Sequence, residues 1–243
     1  MTGDARRALV TGGSGDIGGA ICTALAREGW RVVVHAHAHV GRAEAVAARI
    51  HEAGGDAEVT AFDVTDADAA RSALEGLLRA GPIHALVHNA GIHDDAPLAG
   101  MGEDRWRQVI DVSLHGFFHV AQPLLLPMAR ARFGRIVAMS SVAAILGNRG
   151  QANYAAAKSA LHGAARSLAR EMASRRITVN VVAPGIIEGR MTQALFTDEQ
   201  IATMIPAART GTPAEVAAVV AFLCSDAASY VNGQVIGVNG GMA

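Results

Sequence analysis

The chain alternates short β-branched runs with longer stretches of helical spacing, and this alternation restricts its fold more than any other feature. Runs at 8–11, 31–35, 57–62, 83–88, 135–140, 178–183 and 234–238 read as strands. Residues 17–28, 42–53, 66–79, 103–132, 152–172 and 213–223 read as helices between them, and 184–209 is less regular. Strands separated by helix-length crossovers pair in parallel, because an antiparallel pair needs only a tight turn. Seven of them predict an α/β fold, a doubly wound parallel seven-stranded sheet with helices on both faces. With 243 residues and 51% hydrophobic composition, the chain is expected to form a single domain over 1–243 with no internal linker.

Charge and cysteine content narrow the partners. A net charge of -1 supplies no broad basic field, so neither nucleic acid nor a membrane surface is an expected partner. Cys22 and Cys224 lie apart in predicted helices, without the spacing of a disulfide framework or a metal knuckle, which fits a reducing cytoplasm. No apolar stretch of membrane-spanning length and no signal-peptide core is read from the pattern.

Two short segments carry chemistry. The first predicted strand runs into Thr11-Gly12-Gly13-Ser14-Gly15-Asp16-Ile17-Gly18 and then into a helix. Glycines let a backbone approach a pyrophosphate, and the helix start offers N–H groups and a positive dipole end, so the turn is expected to bind a dinucleotide. Asp16 is expected to cap that helix. The second segment is Tyr154-Ala-Ala-Ala-Lys158, in which Lys158 is the single lysine of a chain with twenty arginines. Positions i and i+4 share a helix face. An ammonium beside a phenol can depress its pKa and pass protons on, which a guanidinium does not do. The alternation His35-Ala-His37-Ala-His39 would put three imidazoles on one strand face, yet nothing nearby completes a ligand set, and no metal is expected. His84, His115, His119 and His162 are read as packing or surface residues.

Around these segments the chain resembles the classical short-chain dehydrogenase/reductases over essentially its whole length, and among them the bacterial 3-oxoacyl-[acyl-carrier-protein] reductases. The resemblance rests on the glycine turn, Asp63-Val64, Asn89-Ala90-Gly91, Ser141 thirteen residues before Tyr154-xxx-Lys158, Pro184-Gly185 and Asn239-Gly-Gly241. It implies a Rossmann-type fold and a homotetramer, with pairing to a non-identical relative also open. Tyr154 would be the general acid, Lys158 its pKa-lowering partner and ribose ligand, and Ser141 the hydrogen-bond partner of the substrate oxygen. The cofactor would meet Gly12, Ser14, Gly15, Asp16, Ile17 and Gly18 at the phosphates, Asp63 and Val64 at the adenine, and Asn89, Ala90 and Gly91 at the ribose region. Pro184, Gly185 and the Ile187 backbone would meet the nicotinamide side. No aspartate ends the second strand, so NADP(H) is expected in preference to NAD(H), with His37 and Arg42 at the 2'-phosphate. Arg132 and Arg175 match positions associated with docking an acidic acyl carrier protein near the active-site entrance.

Three positions depart from the family pattern. Asp16 stands at a usual glycine, Ser113 at the usual asparagine of the catalytic set, and Gly189 at a usual carboxamide-gripping threonine or serine, which leaves Thr192 as a substitute. Family accounts use the backbone carbonyl at the Ser113 position to hold a relay water, and serine presents the same carbonyl. In the segment 188–209, Met191, Leu195, Phe196, Met204 and Ile205 suggest either an apolar lid over an acyl chain or a packed helical insertion. The expected activity is NADPH-dependent reduction of a 3-oxoacyl thioester in fatty-acid or polyketide synthesis. Reduction of another small ketone and a weakly active nucleotide-binding subunit remain as competing readings.

Overall fold

The computed structural model describes residues 5–189 and 197–243. Seven parallel strands form one sheet in the order β3-β2-β1-β4-β5-β6-β7, with β1 Arg7–Thr11, β2 Arg31–Ala36, β3 Asp56–Ala61, β4 Ala85–His88, β5 Gly134–Met139, β6 Ile177–Pro184 and β7 Val235–Val238. Their side chains alternate between two cores. Ala8, Val10, Val32 and Val34 face one, under α1 (Asp16–Arg27), α2 (Val40–Glu52) and α9 (Pro213–Cys224). Leu9, Val33, Leu86 and Ile136 face the other, under α3 (Ala67–Arg79), α5 (Gly116–Ala131) and α7 (Ala152–Met172). Period-two alternation of apolar residues on both faces is what a sheet covered on both sides requires.

The order reverses between β1 and β4, where Thr11 pairs in register with His88. The crevice outside the carboxyl ends of strands at such a reversal is the place an open parallel sheet offers a ligand.

The structure departs from the expected elements at several points. The predicted helix over 103–132 is two helices, α4 (Glu103–Ile110) and α5, joined by a π-helical turn over Asp111–His115 that carries Ser113. A π turn inserts one residue into a helix and leaves both flanking segments apolar at helical spacing, so the pattern reads as one continuous helix. Gly116 follows the turn and lets it pack closely, since a side-chain carbon there would lie 2.9 Å from Val64 Cγ2. The same rod, Glu103–Ala131, is long and apolar enough by length and composition to cross a membrane, contrary to the expectation that no such stretch exists. Val109, Val120, Leu124 and Met128 bury its apolar face in the protein's own core, and Phe118 and Leu126 remain exposed. The short helix α6 (Ala143–Leu146) has no counterpart in the expected elements, while α8 (Asp198–Met204), started by a Thr197–Gln200 capping box, falls in the segment for which a helical insertion is one of the two readings. Most of the expected lid, Met191, Leu195 and Phe196, and Thr192 with it, falls outside the described residues; Met204 is exposed and Ile205 is buried.

Candidate active site

The glycine turn is built by three constraints. Gly12 takes φ +63°, a conformation that favours glycine, and its N–H donates to His35 Nδ1 at 3.1 Å. A Cβ on Gly18 would run into the Gly12 carbonyl oxygen and lie 2.8 Å from Asn89 Nδ2. Asn89 closes the turn from β4, its amide nitrogen donating to the carbonyls of Thr11 and Gly12 at 3.1 and 3.0 Å. The N-cap of α1 is Gly15 rather than the expected Asp16, which becomes the first helical residue, and no side chain caps the helix. The tight turn brings the chain into helix one residue early, so the first-turn N–H groups face the crevice as an anion would need.

His35 is a core residue. Its Nδ1 accepts from Gly12, its Nε2 lies 2.9 Å from the Phe62 carbonyl, and burial pushes its pKa down to about 4. The strand ends at Ala36, so His37 and His39 do not continue a strand face with it as the alternation suggested. Among the described residues no group of three or more His, Cys, Asp or Glu is placed to hold a metal.

Across the reversal, Ser140 and Ser141 follow directly on β5, and α7 lays Tyr154 and Lys158 over them. Ser140 Oγ fixes that approach by donating to the Lys158 carbonyl at 3.0 Å while meeting His162 Nε2 at 2.7 Å. Asn153, fully buried, holds the start of α7: its side-chain nitrogen donates to the carbonyls of Asp94 and Arg105, and its oxygen accepts from the Tyr154 N–H at 2.8 Å. Lys158 is buried, with Nζ donating to the Met139 carbonyl at 2.9 Å and standing 5.8 Å from the Tyr154 ring centroid.

The electrostatics qualify one expectation. Burial raises the Tyr154 phenol above its ordinary value, with a Ser141 hydrogen bond opposing and the Asp95 charge adding to the rise. Burial also brings Lys158 down to about 8. In the protein alone burial sets the direction, because desolvating a phenolate is costly, and the depression of the phenol expected from Lys158 is not seen.

One cleft of about 400 Å³ brings most of the predicted set together. Gly12, residues 14–18, 89–91, Ser141, Tyr154, Lys158, Pro184, Gly185 and Ile187 all line it. Pro184 and Gly185 are held by β7, Gly185 N donating to the Val238 carbonyl. Ser113 is wholly buried behind Lys158 rather than on the cleft wall. His37 lies off it, 3.7 Å from Asp63, and Asp63 accepts from the Thr65 N–H at 2.8 Å. Val64 is buried, its carbonyl meeting His119 Nδ1. Arg42 and Arg49 line an adjoining groove that shares Ser14, Gly15 and Asp16 with the cleft.

Two of the departures turn out to be neighbours: a side-chain carbon on Gly189 would lie 2.8 Å from Asp16 Oδ2. Arg132 and Arg175 do not stand at the entrance within one subunit. They precede β5 and β6, at the strands' amino ends, so six residues of β5 (about 20 Å) and eight of β6 (about 26 Å) lie between them and the strands' carboxyl ends, where the cleft is. Sequence reasoning also missed Asn153, Ser140 and His88. The available signal was polar residues inside an otherwise apolar or catalytic stretch.

A dinucleotide fits this cleft on structural grounds. At Gly12, Gly13 and Gly18 the cradle has no room for a side chain, the start of α1 carries no side-chain cap, and buried Lys158 lines the same cleft.

The comparisons agree with the geometry. The family model described as enoyl-(acyl carrier protein) reductase matches residues 13–243. The 3-oxoacyl-[acyl-carrier-protein] reductase of Aggregatibacter actinomycetemcomitans is 43% identical over 236 residues, covering 96% of this chain and 98% of its own. That of Staphylococcus aureus is 45% identical over 240 residues, 98% of each chain, and that of Escherichia coli 43% over 245 residues, 100% and 99%. The crystal structure of a candidate gluconate dehydrogenase from Agrobacterium tumefaciens superposes with a TM-score of 0.94 at 33% identity, covering 98% of this chain and 95% of that one. With its glycine turn, its Ser-Tyr-Lys cluster and full-length relatives at this identity, the chain belongs to the short-chain dehydrogenase/reductase family.

Proposed function

We propose that the protein reduces 3-oxoacyl thioesters carried on acyl carrier protein to 3-hydroxyacyl thioesters, with NADPH, in cytoplasmic fatty-acid or polyketide synthesis. The observation that carries this reading is the convergence of Ser141, Tyr154 and Lys158 on the cleft that the glycine turn opens, in a chain similar over its full length to enzymes of that name.

The nicotinamide, when bound, supplies the hydride. Ser141 holds the substrate carbonyl oxygen by a hydrogen bond, and Tyr154 protonates that oxygen as negative charge builds on it. A phenol kept protonated by burial suits the donor role in the reduction direction. Lys158 holds the cofactor's ribose and returns a proton towards the phenolate. The preference for NADPH is supported by the absence of a carboxylate at residues 36–39 and by Arg42 and Arg49 in the groove beside the glycine turn.

Carrier docking by Arg132 and Arg175 fits an assembly in which one subunit's arginines reach another's cleft, so the reading includes a homotetramer. Acetoacetyl thioester reduction by the pure protein, run with NADPH and with NADH, tests the substrate and cofactor together. Turnover with NADPH that disappears in Tyr154→Phe is the expected result. Reversing both charges, Arg132→Glu with Arg175→Glu, should raise KM for the carrier-bound substrate about tenfold and leave the free thioester untouched. Oxidation of gluconate with no thioester reduction would replace the reading with that of a hydroxy-acid dehydrogenase.

A further inference from the structure

His88 ends β4 at the strand-order reversal, is wholly buried, and has no part in the reaction described above. Both ring nitrogens are engaged: Nδ1 lies 3.3 Å from Thr11 Oγ1, and Nε2 lies 3.1 Å from the Ser113 carbonyl oxygen. The hydroxyl decides which nitrogen carries the proton. Thr11 Oγ1 already accepts from the backbone N–H groups of Asn89 and Ala90, each at 3.0 Å. A hydroxyl has two lone pairs and one proton, so its proton goes to His88 Nδ1. The neutral ring then carries its own proton on Nε2 and donates it to the Ser113 carbonyl.

The surroundings keep the ring neutral. Thr11 faces it from β1, His35 from β2, Ser113 from the π turn, Phe117 edge-on from α5 at 5.5 Å, and Lys158 from α7. Burial first, and then the Lys158 charge, push its pKa down to about 3.

Ser113 links this ring to the reaction. Its hydroxyl is fully buried and has no hydrogen-bond partner among the described residues. A Cβ on Gly91 would lie 2.8 Å from Lys158 Nζ and 3.7 Å from Ser113 Oγ. Gly91 therefore packs directly under the ammonium with the Ser113 hydroxyl beside it, and a buried hydroxyl left without a partner next to an ammonium is a place where a bound water satisfies both groups.

We propose that His88 is a positioning residue for proton delivery: by holding the Ser113 carbonyl it sets the π turn so that the Ser113 hydroxyl and the Lys158 ammonium share one water over Gly91. This rests on the reading of Tyr154 as the proton donor. In each turnover the Tyr154 O–H breaks and an O–H forms on the substrate. The phenolate regains a proton from the Lys158 side and Lys158 regains one from the water, so a single solvent proton is consumed. The imidazole already takes one lone pair of the Ser113 carbonyl, and the serine hydroxyl becomes the water's main anchor.

The experiment compares His88→Leu, His88→Gln, Ser113→Ala and the double variant His88→Leu/Ser113→Ala, measuring kcat, KM, the solvent deuterium isotope effect and NADPH binding by fluorescence. His88→Leu and Ser113→Ala should each lower kcat about tenfold or more with both KM values within about twofold, and the isotope effect should rise. The double variant should lose little beyond either single one, since the two residues act as a unit. Glutamine, which can place a donor where Nε2 lies, should recover kcat to within about threefold. Nitrogen NMR of histidine-labelled wild type should find His88 with a bare Nδ1 and a protonated Nε2. A protonated Nδ1, unchanged kcat in Ser113→Ala, or multiplicative losses in the double variant overturn the proposal. Should His88→Leu not fold, Ser113→Ala and His88→Gln decide it. A wild type that reduces no thioester refutes the substrate reading alone; the tautomer then still decides the arrangement around His88.

Discussion

Two buried neutral histidines make the fold acid-sensitive well above the range where carboxylates titrate. His35 and His88 are 1% and 0% exposed, and their pKa values fall to about 4 and about 3 from 6.5. Below pH 6.5 the unfolded chain binds protons that these folded rings refuse, so stability falls as the pH drops from 6.5 towards the folded values. Between pH 7 and pH 5 each ring costs about 2 kcal/mol by that linkage, and the two together about 4 kcal/mol. Domains of ordinary stability hold about 5–15 kcal/mol, so this loss is a large share of the total. The burial-lowered pKa values of His84 and His162 act in the same direction, whereas Glu215, lowered to about 2 by Arg209 and the Thr212 N–H, matters only below about 4.5. Urea unfolding at fixed protein concentration at pH 7 and pH 5 measures the difference. His88→Gln should remove about half of it. A loss below about 1 kcal/mol in the wild type, or a His88→Gln variant with the full wild-type slope, would refute the assignment of both rings as neutral in the fold.

Gly18→Ala places a carbon against the Gly12 carbonyl, and the overpacking, about 1–3 kcal/mol, should weaken NADPH binding by roughly 10–100-fold in a fluorescence titration. Lys158→Arg should lower kcat at least about 100-fold, because a guanidinium neither fits beside Gly91 nor gives up a proton, and steady-state rates near wild type would refute the role of the lone lysine.

Strand positions, helix positions and the cleft's main residues were legible because they rest on local patterns. Alternating apolar runs specify strands, and a glycine-rich strand-to-helix turn specifies its own backbone. The helix over Ala152–Met172 was read with its observed bounds. What escaped depends on contacts between distant segments. The π turn at Asp111–His115 joins two segments that are each apolar at helical spacing, and Ser113 within it is buried, which only the packing of distant segments decides. The histidine alternation looked like one face because nothing in the local sequence marks the strand's end at Ala36. Arg132 and Arg175 carry no sign of which end of the sheet they occupy until the strands after them are placed. Asp16 and Gly189 read as separate departures in the sequence although the fold sets them side by side.

The Thr11 hydroxyl, which takes two N–H groups from the end of β4 and gives its proton to His88, stitches the central strands together at the mouth of the cleft. The amides of Asn89 and Ala90 can then exchange with solvent only when the centre of the sheet itself parts. Their exchange rates should match those of the deepest core amides in β1 and β4 rather than those of surface loops. Cofactor pocket and fold thus share one opening event along this wall.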